Sequence, residues 1–84
     1  MKKETVKILV IQNQTLISQI EEVVGDIGEP DCKLIEPFII DGENINPWLV
    51  EYSNQNVFMI HSDKILTIAE PNGKLLKKYE DILK

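Results

Sequence analysis

The sequence predicts a small, mostly β domain that ends in one helix, and three observations favour this class. The chain has 84 residues, 43% of them hydrophobic, and thirteen of its residues are isoleucines, which are enriched in strands. Short apolar runs alternate with residues typical of turns. The last apolar residues instead follow a helical spacing. A chain of this length forms one domain, 1–84, and buries only about 60% of the surface of its unfolded form, so self-association would add useful burial.

The first half of the chain contains two strand patterns and one ambiguous segment. Val6 to Ile11 is apolar on both faces apart from Lys7 and predicts a strand. Cys32 to Ile40 predicts another strand, in which Pro37 favours an edge position or a bulge. Residues 15–24 carry a helical stripe and alternate less cleanly as a strand, so the local pattern favours a helix. The stripe consists of Leu16, Ile17, Ile20, Val23 and Val24.

The middle of the chain predicts two loops and three short strand segments. Gly25 to Asp31 and Asp41 to Pro47 are rich in glycine, proline and other turn residues, and both are predicted loops. Trp48 to Tyr52 and Val57 to Ile60 predict strand, either as two segments or as one long bent strand. Ile65 to Ala69 predicts the final strand.

A helix is predicted over about residues 73–84. Asn72 is a candidate N-cap, and an apolar stripe follows it. A helix of about eleven residues is marginal alone in water, so this one must dock on the rest of the domain. Its apolar stripe consists of Leu75, Leu76, Tyr79, Ile82 and Leu83.

The charge distribution says more than the net charge of −5. Residues 1–7 and 74–84 each carry a net charge of +2, so the middle of the chain carries −9. The chain has no arginine, which removes bidentate guanidinium contacts to phosphate or guanine. A nucleic-acid partner would therefore have to meet a local patch of lysines rather than a broadly basic surface.

Compartment and membrane signals are weak in this sequence. One cysteine, Cys32, cannot form an internal disulfide, and one Cys with one His is too little for a structural zinc site. The apolar run near the amino terminus, Ile8 to Ile11, is too short for a signal-peptide core, and no segment approaches the length of a membrane span. We therefore expect a cytoplasmic protein that does not enter a membrane.

Polar side chains concentrate between the last two predicted strands. The run FMIHSDKILTI, Phe58 to Ile68, joins two short β-type segments through four polar residues. This is the one place in the sequence where several hydrogen-bonding side chains are forced together. The four residues are His61, Ser62, Asp63 and Lys64.

Metal binding and catalysis find little support. Asp26, Glu29 and Asp31 share one loop, but they lack the alternating spacing and closing Glu of a calcium loop, so no metal is expected. A single His and a single Cys do not argue for a nucleophile and base pair, and no glycine-rich phosphate loop occurs. We expect no cofactor and no enzymatic activity.

Two stretches of the chain carry a family resemblance. Residues 60–65 look like the second Sm motif, which runs apolar residue, Arg, Gly, Asp or Asn, polar residue, apolar residue. Lys7 to Val23 is similar to the first Sm motif, with Ser18 where the family usually has Gly. Together with GEPDCKLIEPF, the passage resembles small uncharacterised Sm-like proteins of marine cyanophages, over roughly residues 6–70.

This resemblance implies a fold and an assembly. The fold is a strongly bent five-stranded antiparallel barrel over about residues 5–70, in which residues 15–24 form a strand despite their helical stripe. The carboxy-terminal helix would take the place of the family's amino-terminal helix. The assembly is a closed homo-oligomeric ring of about five to seven subunits, in which the fourth strand of one copy pairs with the fifth strand of the next.

The resemblance also implies where nucleic acid would bind. The loop with His61, Ser62 and Lys64 would face the central pore, where the imidazole can stack on a base or donate to phosphate and the lysine can neutralise phosphate. Asp31 and Cys32 lie near the position at which the family places an asparagine that reads a base edge. As ordinary turn residues, His61 and Lys64 would simply be solvated.

Three further residues have mainly structural interpretations. Asp63 matches the family's Asp or Asn, whose usual role is to bond the backbone of the turn. Trp48 and Tyr52 could stack on bases, although a Trp after a proline at a strand start is more typical of a core or an interface.

Two function classes follow. The first is a ring-forming protein that binds RNA or single-stranded DNA and acts in nucleic-acid processing. The second is a structural or protein-interaction ring without nucleic-acid binding, which the acidic middle and the missing arginines favour. The resemblance to the Sm family makes the first class the preferred hypothesis.

Overall fold

Six antiparallel strands and one helix make up the part of the chain that the computed structural model describes, residues 5–24 and 26–83. Each strand is short, as the runs between turn residues predict. In chain order the elements are β1 (Val6–Ile11), β2 (Gln14–Glu22), β3 (Cys32–Asp41), β4 (Asn44–Pro47), β5 (Val57–Ile60), β6 (Ile65–Ala69) and α1 (Gly73–Leu83).

The strands form one mixed-length sheet in the order β4-β3-β2-β1-β6. The first half of β3 pairs with β5, and the second half pairs with β4. Over the described residues β5 and β6 do not pair with each other, so the sheet does not close into a barrel. The mostly β class is confirmed, whereas the expected closed barrel of five strands is wrong in both strand count and closure.

The ambiguous segment is a strand. Residues 14–22 form β2, which pairs with β1 on one edge and with β3 on the other. Leu16 and Ile17 are neighbours that point to opposite faces of the sheet, and both are fully buried. A strand that is buried on both faces does not need alternating apolar and polar residues. Its pairing with a strand on each edge outweighs the local preference of the sequence for a helix. The helix favoured by the local pattern is therefore wrong.

A bulge between β2 and β3 explains the polar residue in the centre of β2. The register shifts between Ile17 and Gln19, and Ser18 between them is fully buried. Its hydroxyl lies 3.1 Å from the carbonyl oxygen of Ile35 and 2.9 Å from that of Gln19, so it donates within the bend. A buried hydroxyl without such an acceptor would cost about 1–3 kcal/mol.

The chain changes partners at Glu36, in the middle of β3. This residue has a φ of +53°, which is costly for a residue with a side chain, and Pro37 follows it. Two contacts hold the kink: the Glu36 N–H donates to the Asn56 carbonyl at 2.7 Å, and the Asn56 side-chain amide donates to the Glu36 carboxylate at 2.8 Å. The kink separates the half of β3 that pairs with β5 from the half that pairs with β4.

Two predictions in the middle of the chain are wrong. The expected loop over 41–47 contains β4, because Gly42, with a φ of +62°, turns β3 tightly back on itself. The expected strand over 48–52 is a turn, in which Leu49 has a φ of +59° and its carbonyl accepts the N–H groups of Tyr52 and Ser53, both at 3.0 Å.

The final helix is confirmed and docks on one face of the sheet. The side chain of Asn72 accepts the N–H of Leu75 at 2.8 Å, as an N-cap does. Tyr79 is fully buried, and its ring meets Phe38 edge-on at 5.6 Å between centroids. No helix in the described part of the chain is long and apolar enough to cross a membrane. The cluster beneath α1 consists of Val6, Ile17, Phe38, Ile45 and Tyr79.

A second hydrophobic cluster fills the inner face of the bent sheet. Its fully buried centre includes Leu9 and Leu16, which are direct partners in β1 and β2. Trp48 packs against this cluster and meets the ring of Phe58 at 5.4 Å, so its core interpretation is confirmed. The other buried members are Cys32 and Leu34, and partly buried Ile20, Ile60 and Ile65 pack around them.

Candidate functional site

A single 3₁₀ turn, Ser62–Lys64, carries the chain from β5 to β6, and we call it the hinge turn. His61 precedes it in extended conformation, and its carbonyl accepts the N–H of Lys64 at 3.0 Å. The N–H of Ile65 bonds to the Ser62 carbonyl as β6 begins. These bonds set the positions of the four polar residues that the sequence singled out.

Asp31 ties the hinge turn to the start of β3. Its Oδ1 accepts the Ser62 N–H at 2.8 Å, and its Oδ2 accepts the Ser62 hydroxyl at 2.8 Å. The two regions that the Sm resemblance assigns to nucleic acid therefore meet in space, although Asp31 and Ser62 are 31 positions apart in the chain. The backbone and hydroxyl bonds from Ser62, with a smaller effect of His61, lower the pKa of the Asp31 carboxyl, because they favour its charged form.

Cys32 follows Asp31 but has a different environment. It is only 5% exposed and belongs to the inner cluster. Burial raises the pKa of its thiol, and the nearby charges of Asp31 and Glu22 raise it further. A buried, protonated thiol is a poor nucleophile, so the residue packs and lines the site rather than supplying a thiolate.

The remaining hinge residues face outward with little internal bonding. His61 is half-buried, whereas Asp63 and Lys64 are exposed. Within the described residues the side chains of these three make no hydrogen bond or ion pair. The expected bond from Asp63 to the turn backbone is thus absent there, and Asp31 makes that bond from the other loop instead.

A groove of about 320 Å³ opens beside the hinge turn, between the ends of β2 and β3 and the inner face of β6. Its apolar lining consists of Ile20, Val23, Cys32, Ile65 and Ile68. Its polar lining consists of Glu22, Asp31 and Ser62. Sequence reasoning missed five of these as site residues, namely Ile20, Glu22, Val23, Ile65 and Ile68, because the groove forms only where β2 and β3 meet β6 and no local sequence pattern predicts it.

The charged side chains around the groove and the hinge turn are of both signs, but most of them are acidic. Glu22 and Asp31 border the groove, and Asp63 lies in the hinge turn beside Lys64. Lysines are concentrated elsewhere, on α1, where Lys78 donates to the Glu43 carbonyl and Lys74 lines a separate cavity of about 290 Å³. Phosphate would therefore meet both signs of charge at the hinge.

The comparison with protein families adds one finding. The chain belongs to a family of unknown function, DUF6561. The family model matches residues 4–84, a range that includes the hinge turn, the groove and α1. No curated protein matches the chain.

The other residues that the sequence suggested for base stacking or metal binding do not lie together at this site. Tyr52 is 84% exposed in the turn after β4. Asp26 and Glu29 are exposed in the loop before β3, where the Glu29 N–H donates to the Asp26 carbonyl at 3.0 Å. Over residues 5–24 and 26–83, no three His, Cys, Asp or Glu side chains are grouped so that they could hold a metal ion.

The contact between Asp31 and Ser62 should appear in an acid titration. Because the folded pKa of Asp31 is lowered from its ordinary 3.8, its contribution to stability is present above that value and is lost as the pH falls below it. Ser62→Ala removes the hydroxyl bond but keeps the backbone bond, so the pKa should move part of the way back. Carbon-detected NMR of the Asp31 carboxyl measures both values, with Asp26→Asn as a control. An unchanged pKa in Ser62→Ala would contradict the contact.

Proposed function

We propose that this chain is an Sm-like protein that forms a ring of about five to seven copies and binds single-stranded RNA or DNA at the hinge turn, in nucleic-acid processing in the cytoplasm. The function needs no catalytic step and no cofactor. The observation that supports it is the contact of Asp31 with Ser62, because it joins the hinge turn to the place near which the Sm resemblance puts the residue that reads a base edge.

The sheet edges support the ring. Over the described residues β5 pairs only with β3 and β6 pairs only with β1, so each strand has one free edge. The two edges flank the hinge turn, which is where the resemblance places the subunit junction. Free edges are a liability that pairing between copies removes. Exposed apolar side chains lie on both strands: Met59 is 47%, Leu66 67% and Ile68 53% exposed.

The hinge residues support nucleic-acid binding. Since the side chains of His61 and Lys64 are not used in internal bonds of the described structure, both are available to a ligand. One Lys64 in each copy becomes a circle of positive charges in a ring, which compensates for the absence of arginine. His61 can stack on an unpaired base.

Fluorescence anisotropy of labelled oligo-U, oligo-A and single-stranded DNA tests this function at low and moderate salt. Binding should be weak and should fall steeply as salt rises, because phosphate contacts dominate it. Lys64→Ala should reduce the salt slope by roughly one unit, and His61→Ala should weaken binding with less effect on the slope. Lys77→Ala, on α1, is the matched control.

Two outcomes of this assay contradict the proposal. If Lys74→Ala and Lys77→Ala reduce the salt slope and Lys64→Ala does not, nucleic acid binds on α1 and the hinge site is wrong. If an intact ring binds no oligonucleotide at low salt, nucleic-acid binding fails altogether.

The second candidate function is a structural or protein-interaction ring. Its specific support is the acidic surrounding of the hinge, where Glu22, Asp31 and Asp63 oppose the approach of phosphate. This candidate keeps the ring and removes the nucleic acid, so an intact ring without oligonucleotide binding would favour it.

A further inference from the structure

The groove beside the hinge turn leaves part of the inner face uncovered. Ile68 is the direct partner of Leu9, which is fully buried, and so the two side chains share the inner face of the sheet. Ile68 is nevertheless 53% exposed, because no strand pairs with β6 on its other side in the described chain. Together with Ile20 and Ile65 it forms an apolar floor that is open to solvent.

Two carboxylates border this floor. Glu22 pairs with Cys32 in the ladder of β2 and β3, so it lies next to Asp31 across the two strands. Glu22 is exposed, and Asp31 accepts two hydrogen bonds from Ser62, which fix its carboxylate at the rim of the groove. Within the described residues, the groove lining contains no lysine or histidine. An occupant that is apolar in its centre and positive at one end would therefore fit both the floor and the rim.

The loop between β2 and β3, beside the groove, also combines exposed aliphatic side chains with carboxylates. Val24 is 102% and Ile27 106% exposed, relative to an extended reference chain, and Asp26 and Glu29 accompany them. Two aliphatic side chains that are completely in solvent among carboxylates extend the same surface chemistry beyond the groove. Nothing on α1 or β4 covers them in the described structure.

We propose that this groove binds a segment of another protein that carries a lysine or arginine next to an aliphatic side chain. The volume of about 320 Å³ is at the lower end of ligand pockets, so it accepts one or two side chains rather than a folded domain. A second copy of the chain is a poorer occupant, since the edge strand that the ring would bring here, Val57–Ile60, has no cation to meet Glu22 and Asp31. Phosphate is repelled by the same carboxylates.

This inference goes beyond the proposed function and does not depend on it. Strand pairing uses the backbone edge of β6, whereas the groove uses side chains on the face of the sheet. Binding in the groove can therefore be measured whether the protein is a ring or a monomer, and whether or not it binds nucleic acid.

Three short fluorescent peptides of equal length test the groove by anisotropy with the full chain. The first alternates leucine with lysine, the second leucine with glutamate, and the third serine with lysine. The leucine and lysine peptide should bind at least about tenfold more tightly than either of the others, and its affinity should fall as salt rises.

Two substitutions in the groove have matched controls elsewhere. Glu22→Lys and Val23→Ser change the rim and the lining, whereas Glu51→Lys and Val50→Ser make the same changes at adjacent exposed residues in the turn after β4. The groove variants should each weaken the leucine and lysine peptide by about tenfold or more, and the controls should leave it unchanged. Circular dichroism checks that all four variants keep the fold.

Several results would overturn the inference. Equal binding of the leucine and glutamate peptide would remove the role of the carboxylates, and equal binding of the serine and lysine peptide would remove the role of the floor. No binding, or binding that both groove variants leave unchanged, would remove the site. Light scattering on the same samples separates the two proposals: an intact ring that binds no peptide refutes only the groove, and a monomer that binds the peptide refutes only the ring.

Discussion

Tyr79→Ala is expected to lower the free energy of unfolding by about 3–5 kcal/mol, the range for losing a buried aromatic side chain. Tyr79 is the largest fully buried side chain of the described structure and fixes α1 to the sheet. Its ring contacts Phe38, and its hydroxyl donates to the Glu36 carbonyl at 2.7 Å. The loss of the ring leaves a cavity under a helix that is marginal without docking. Urea denaturation at one fixed protein concentration measures the change.

Two further variants define the source of this effect. Tyr79→Phe keeps the ring and leaves the Glu36 carbonyl without its hydroxyl donor, so it should cost about 1–3 kcal/mol. Tyr52→Ala, at a residue that is 84% exposed, should change stability by less than about 0.5 kcal/mol. If Tyr79→Ala costs no more than Tyr52→Ala, α1 does not dock as described.

Ile68→Asp is expected to convert the proposed ring into monomers. The side chain lies on the inner face of the free-edged strand β6 and is 53% exposed in the single chain, so the substitution should leave the fold of one copy intact. At the free edge of β6 the new carboxylate would lie near Glu22 and Asp31, and the added negative charge would oppose pairing of this edge with a strand of the next copy. Gel filtration coupled to light scattering should show the mass falling from about five to seven copies to one.

Matched substitutions separate this effect from a general one. Tyr52→Asp introduces the same charge at an exposed residue in the turn after β4 and should keep the ring mass. Ile68→Val keeps the residue apolar and should also keep it. A ring that survives Ile68→Asp at micromolar concentration would show that the junction does not use the free edge of β6.

Local patterns predicted the elements whose surroundings agree with their own sequence. The bounds of β1 and β6 and the start of α1 follow from short apolar runs, turn residues and the Asn72 cap, and the structure confirms them, whereas the predicted end of the helix at residue 84 lies outside the described residues. For β2 the helical stripe was misleading, because burial on both faces of a central strand erases alternation. The sequence signal for β4 was Gly42, which begins the two-residue turn between the paired residues Asp41 and Asn44, but Asp41 to Pro47 as a whole has the composition of a loop.

The site was predictable only in part, because its residues come from parts of the chain that only the fold brings together. Sequence reasoning selected Asp31 and Ser62 separately, through the Sm resemblance, and their two hydrogen bonds depend on the packing of β3 against β5. The groove needs side chains from β2, β3 and β6, which only the bent sheet brings together. The charge of the site follows from the same packing, which adds Glu22 and Asp31 to a turn whose own sequence contains one cation and one anion.

The mass of the unaltered protein in solution is the most direct test of the proposed ring. The free edges of β5 and β6, with their exposed apolar side chains, predict that copies of this 9.6 kDa chain pair into a closed ring. Gel filtration coupled to light scattering at micromolar concentration should therefore give a single species of about five to seven copies. A stable monomer under these conditions would contradict the ring and, with it, the pore-facing role of the hinge turn.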